Sequence, residues 1–185
     1  INPSSNFDAN TGYYVLIAAS AFDDANSGSY AGISSTTSLN FTSTNVLPTL
    51  SSSTPADDAT SVAIDTNIVL NFSENVTAQS GNIIIKKTSD DSTVETIDVA
   101  GGQVTGTGTS QITINPSSNF DANTGYYVLI AASAFDDANS GSYAGIGSTT
   151  ALTFTSANVL PTLSSSTPAD NATNVIKDGT IVLNF

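Results

Sequence analysis

The chain has no cysteine, methionine, tryptophan or histidine, and none of its three basic residues is an arginine. Without cysteine there is no disulfide framework and no thiolate to serve as nucleophile or soft-metal ligand. Without histidine, the commonest general base and metal ligand near neutral pH is missing. Serine and threonine are abundant, but nothing resembles a nucleophile elbow or a Ser–Lys pair. Paired carboxylates occur only in Asp-rich turns, so the sequence predicts no enzyme. Three Lys+Arg stand against 16 Asp+Glu, a net charge of −13. That excludes nucleic acid, whose phosphates need clustered cations, and disfavours an anionic membrane surface. The longest apolar runs, such as Tyr13–Ala19, fall far short of the roughly 20 residues that span a bilayer, so no direct membrane insertion is expected. Multivalent cations and neutral polar surfaces such as glycans are the partners this charge balance leaves.

What the chain does have is a long repeat. Ile1–Gly32 returns unchanged at Ile114–Gly145, a period of 113 residues. Residues 1–72 align with 114–185 without a gap and differ at ten positions. A period of that length fits one domain with its own core, unlike a short solenoid repeat. Hydrophobic content of 39% with only 10% charged residues also separates the chain from disordered sequences. The expected organisation is residues 1–47 as the C-terminal part of one unit, 48–160 as a complete unit, and 161–185 as the N-terminal part of the next. A chain that opens and closes inside a unit is expected to be a window on a longer array. No signal peptide is visible, and a window from the middle of a long protein would not show one whether or not the protein has it. Residues 1–47, short of most strands of a unit, are expected to be ordered only where further chain or neighbouring subunits supply partners.

Within 48–160 the pattern is all-β. Long 3.6-residue periodicity is missing, and short alternating runs are separated by turn residues. Seven strands are expected: Thr49–Ser53, Asn67–Ser73, Asn82–Lys87, Thr93–Val99, Gln111–Asn115, Tyr126–Ala132 and Thr150–Thr155. Thr54–Asp65 reads as a turn-rich crossing and Gly101–Gly108 as a Gly-rich connection. Ile68, Leu70 and Phe72 share one face of their strand, as do Tyr126, Val128 and Ile130 of theirs. About seven strands in one such unit is the signature of a β-sandwich. Asn119–Gly125 reads as the turn leading into a tyrosine corner at Tyr126. Ile64 is expected on the surface, because its counterpart is Lys177. Val15, Ile17, Phe41, Ile68, Leu70 and Phe72 are core candidates. Val46 and Leu47, in the linker Asn45–Thr49, are expected to pack against a neighbour, and Lys86 and Lys87 to guard a sheet edge.

Thr54–Asp65 followed by Asn67–Val76 resembles the opening of a bacterial Ig-like domain, with its Pro-containing crossing and a strand ending in Phe-Ser-Glu. Asn123–Ala132, Ala134–Gly145 and Leu152–Phe154 resemble its closing half. The loop in similar units often reads Asp-x-x-Gly-Asn, whereas here it runs Asp136-Asp137-Ala138-Asn139-Ser140-Gly141. The resemblance covers the whole period. It implies an Ig-like β-sandwich repeated in tandem, of the kind found in long repetitive surface proteins and adhesins of cyanobacteria and other aquatic bacteria. The implied location is extracellular or on the bacterial cell surface.

In an Ig-like sandwich the B–C and F–G loops lie at one end. That places Glu74 near Asp136, Asp137 and Asn139, with Asp23, Asp24 and Asn26 as the equivalent loop of the first copy. Oxygen donors of this kind suit calcium, and no other cofactor is expected. Asp57, Asp58, Asp65 and Asp121 fall at the other end, where units meet. The Asp and Asn residues equally suit simple turns. A Lys–Asn cross-link would require Lys86 or Lys87 buried beside an Asn and an acid. Among the tyrosines, Tyr126 belongs to the corner, Tyr127 to the interior, and Tyr143 alone remains a surface candidate for a glycan. The function these features predict is a structural repeat of a stalk, fibre or filament, whose partners are neighbouring repeats of the same polypeptide or filament. The alternative is a repeated adhesive module that gains avidity for a glycan or partner surface.

Overall fold

The structure is a computed structural model that describes all 185 residues. It is all-β, with fourteen strands in four sheets. In chain order these are β1 (Gly12–Tyr14), β2 (Asn40–Thr42), β3 (Leu50–Thr54), β4 (Ala59–Val62), β5 (Ile68–Ala78), β6 (Asn82–Lys87) and β7 (Thr93–Asp98). Then follow β8 (Val104–Thr105), β9 (Thr109–Ile114), β10 (Gly125–Ile130), β11 (Phe135–Asp136), β12 (Thr153–Ser156), β13 (Ser165–Thr167) and β14 (Val182–Asn184).

One sheet runs β4-β12-β10-β6-β7; the facing sheet runs β11-β5-β9-β8, with β3 also paired to β5. Alternation builds the core between them. Ile68, Leu70, Phe72 and Val76 point inward from β5, Ile83 and Ile85 from β6, Ile112 and Ile114 from β9, and Tyr126, Val128 and Ile130 from β10. Burying each aliphatic side chain contributes about 1.5–3 kcal/mol before entropy is counted. All members of the core cluster lie between Ile68 and Phe154. The aromatics sit at its two ends. Phe120, Tyr126 and Phe154 form a triangle with centroids 4.8–5.4 Å apart, while Phe72 meets Phe135 at 5.4 Å and Tyr143 at 5.1 Å.

All seven expected strands are present, as β3, β5, β6, β7, β9, β10 and β12. Three short ones join them. β4 runs parallel to β12 inside what read as a turn-rich crossing, and it carries a left-handed Ser61 (φ 56°) that breaks the alternation a sequence can show. β8 occupies part of the Gly-rich connection and β11 the start of the Asp-rich loop. β5 continues through Ser73-Glu74-Asn75 to Ala78, with a register shift against β9 between Asn71 and Val76. Glu74 is therefore inside a strand and not in a loop. Polar residues across that irregularity hid the continuation.

Further expectations are corrected. β6 lies between β10 and β7, so Lys86 and Lys87 guard no edge. Lys86 stands over the Tyr127 ring at 5.8 Å, and Lys87 pairs with Asp121 at 2.7 Å. Ile64 is half-buried, and its carbonyl accepts the Phe120 N–H at 2.7 Å. Val46 is mostly exposed, Leu47 is half exposed but sets its side chain against Gly141 as expected of a residue that packs on a neighbour, and the buried linker residue is Pro48. Ile68, Leu70 and Phe72 are buried, but Val15 and Ile17 are only half-buried and Phe41 is exposed; their copies Val128, Ile130 and Phe154 lie in the core.

Candidate functional site at the joint between units

The loop after β11 is built by its own sequence. Asp137 Oδ1 accepts the backbone N–H of Asn139 and of Gly141, both at 2.7 Å. The Asp137 N–H donates to the Gly141 carbonyl at 2.9 Å, and Ser140 takes a left-handed turn at φ 63°. This is the local competition by which Asp side chains make turns. The first copy repeats it: Asp24 Oδ1 accepts Asn26 N–H at 2.8 Å and Gly28 N–H at 2.7 Å, and Ser27 sits at φ 64°.

The linker then closes on the second loop. Asn45 Nδ2 donates to Asp137 Oδ2 at 2.7 Å, and Asn139 Nδ2 donates to Asn45 Oδ1 at 3.3 Å. Burial by itself would raise the Asp137 carboxyl; donors from Gly141, Asn45 and Asn139 outweigh it and hold its pKa below the ordinary value. Gly141 is buried beneath this contact. A β-carbon there would collide with Asn45, Asp137 and Leu47, whereas at Gly28 it would meet only Asp24. Gly141 has no positive φ, so its need for glycine comes from the close approach of the linker. Past Pro48, Thr49 exchanges hydrogen bonds with Ser73 at 3.0 and 2.9 Å, which leads the chain into β3.

The other side of the joint is a tyrosine corner. Tyr126 OH accepts the Asp121 N–H at 2.8 Å, and Tyr13 OH accepts the Asp8 N–H at 2.8 Å. The strand leaving each corner is tied to it. Ser43 Oγ donates to the Asp8 carbonyl and accepts the Thr11 N–H at 2.9 Å, and the Thr44 carbonyl accepts the Asn10 N–H at 3.1 Å. Ser156 and Ala157 repeat these bonds with Asp121, Thr124 and Asn123.

Of the oxygen-bearing residues expected around an ion, Asp136, Asp137 and Asn139 share the loop, and Asp23, Asp24 and Asn26 share its copy. Both Asp137 oxygens accept N–H donors. Asp136 Oδ1 is buried without a hydrogen-bond partner. Glu74 lies on β5, the strand that β11 pairs with. No group of three or more acidic side chains gathers into a metal-ligand set. At the opposite end, Asp57 accepts from the Thr153 N–H at 2.9 Å, Asp58 accepts from its hydroxyl at 2.8 Å, and Asp65 is exposed. Tyr143 is corrected: it is buried at 7% exposure, edge-on to Phe72, and not a surface residue. Asn45 carried no functional expectation beyond its place in the linker. Its only sequence signal is that Asn-Val-Leu-Pro recurs at 158–161 while the residue before it changes from Thr44 to Ala157.

The sequence model of the family described as "Bacterial Ig-like domain" matches residues 44–156. Among solved structures, a crystal structure of the S-layer protein rSbsC is similar at 18% identity and a TM-score of 0.40. The match covers 72% of this chain and 19% of that one, so this chain spans about a fifth of its length. No curated protein matches.

Proposed function

We propose, since the chain belongs to the family of bacterial Ig-like domains, that each unit is a structural repeat of a long extracellular surface protein, set in series as a stalk, fibre or filament. The observation that carries this is the recurrence of one structural design along the chain. The β1–β2 register Tyr13↔Phe41 recurs as Tyr126↔Phe154 in β10–β12, the tyrosine corner is made twice, and the Asp loop is made twice. A joint stands between the copies. Units of that kind add length, and their net negative charge keeps parallel arrays soluble and apart. An adhesive function would call for exposed aromatics repeated on one face, yet Tyr126, Tyr127 and Tyr143 are all buried in the complete unit.

Antibodies raised against residues 48–160 should label intact cells of the source bacterium, and a protease added outside should remove the signal. Labelling that needs lysed cells would overturn the proposal. Calcium enters at one atom, the unpartnered Asp136 Oδ1. A higher thermal midpoint in calcium than in chelator supports an ion there, and equal midpoints remove calcium from the proposal.

A further inference from the structure

The last residue tied to one unit and the first tied to the next are adjacent in the chain. Thr44 is held by Asn10 through its carbonyl, at 3.1 Å, and Asn45 is held by Asp137 through its side chain, at 2.7 Å. Nothing in between is free to act as a hinge. We infer that the loop Asp137–Gly141 is a receptor for the linker segment Asn45–Pro48, and that consecutive units are locked together through it without a flexible residue. This rests on the proposal that the units stand in series.

Three features support a built contact. The first is chemical: the amide of Asn45 uses both its ends, donating to a carboxylate and accepting from Asn139, and a charged acceptor makes the first of these bonds strong. The second is steric. Gly141 leaves room for Asn45 and Leu47 that a β-carbon would fill. The third is covalent geometry, since Pro48 is buried and fixes its own φ directly after the contact. The sequence repeats both halves of the lock. Asn158-Val159-Leu160-Pro161 copies the segment, and Asp24-Ala25-Asn26-Ser27-Gly28 copies the loop. Each unit therefore offers the loop to the linker before it and the segment to the loop after it. Contacts of this kind repeat head to tail, so each joint can be made in the same way as the one before it.

Backbone 15N relaxation on the full chain tests this. Asn45 and Leu47 should show order parameters close to those of β3, about 0.85. Asn45→Ala should lower them to below about 0.6, and Gly141→Ala should do the same from the receptor side. Gly28→Ala should leave the linker unchanged, and the resonances of core residues such as Ile85 and Ile112 should stay put in every variant. A linker that is already flexible in the parent chain overturns the inference, and so does one whose order survives both substitutions. A rigid linker in a protein that fails to label at the cell surface would remove the surface function and keep the lock. A flexible linker in one that does label would remove the lock alone.

Discussion

Residues 12–32 and 125–145 have the same sequence in two settings. In both, the tyrosine hydroxyl ties the corner at 2.8 Å and the Asp carboxylate cradles the backbone N–H of Gly28 or Gly141 at 2.7 Å. Burial is where they part. Tyr127 is 3% exposed beneath Lys86 and bonded to Asp91 at 3.1 Å, whereas Tyr14 is 56% exposed. Phe154 is 2% exposed and Phe41 38%. Bonds that close within five residues are set by local sequence. Burial needs strands that lie far away in the chain.

The steepest contrast should come from the aromatic triangle. Phe154→Ala should cost about 3–5 kcal/mol in urea unfolding of the complete unit, as truncation of a buried aromatic does. Phe41→Ala should leave that transition unmoved. Equal effects would mean that the two copies share one core. Gly141→Ala should cost about 1–3 kcal/mol through overpacking against Asn45 and Leu47, and Gly28→Ala should leave the unit's midpoint in place.

Tyr126→Phe removes the hydroxyl that the Asp121 N–H donates to, and should cost about 1–2 kcal/mol; Tyr13→Phe should again be silent. The acid limb separates the loops by pH. Asp137 has a folded pKa below its unfolded one, so its stabilisation is fully present above the unfolded value, about 4. It is lost as pH falls through the depressed folded value. Asn45→Ala removes one donor, so the variant should lose less stability than the parent between pH 5 and about pH 2 in urea titrations. An unchanged acid slope would show that Asn45 does not stabilise the Asp137 carboxylate. Smallest of all is the Lys87–Asp121 pair at the surface, where Lys87→Ala should leave the urea midpoint almost unmoved.

Alternation made the seven main strands legible, because Ile68-Leu70-Phe72 and Tyr126-Val128-Ile130 carry the period of two without interruption. β4 escaped because a left-handed residue sits inside it, and the far half of β5 because Ser73-Glu74-Asn75 crosses a register shift. Lys86 and Lys87 read as an edge guard because charge at a strand end usually marks an edge, yet pairing on both sides places them mid-sheet. Tyr143 read as a loop aromatic because nothing local shows that Phe72, far away in the chain, packs against its edge. At the joint, Asp137 and Asn139 stood out in the sequence as candidate calcium ligands. Their partner Asn45, 92 residues before Asp137, did not.

The sequence alone determined the repeat, the all-β class, the corner and the Asp turn, since each depends on residues within reach of their own neighbours. The tertiary structure decided which tyrosines are covered, how far β5 runs, where the lysines sit and what the linker asparagine holds. Those outcomes depend on groups brought together across tens of residues, and short-range patterning carries no record of such contacts.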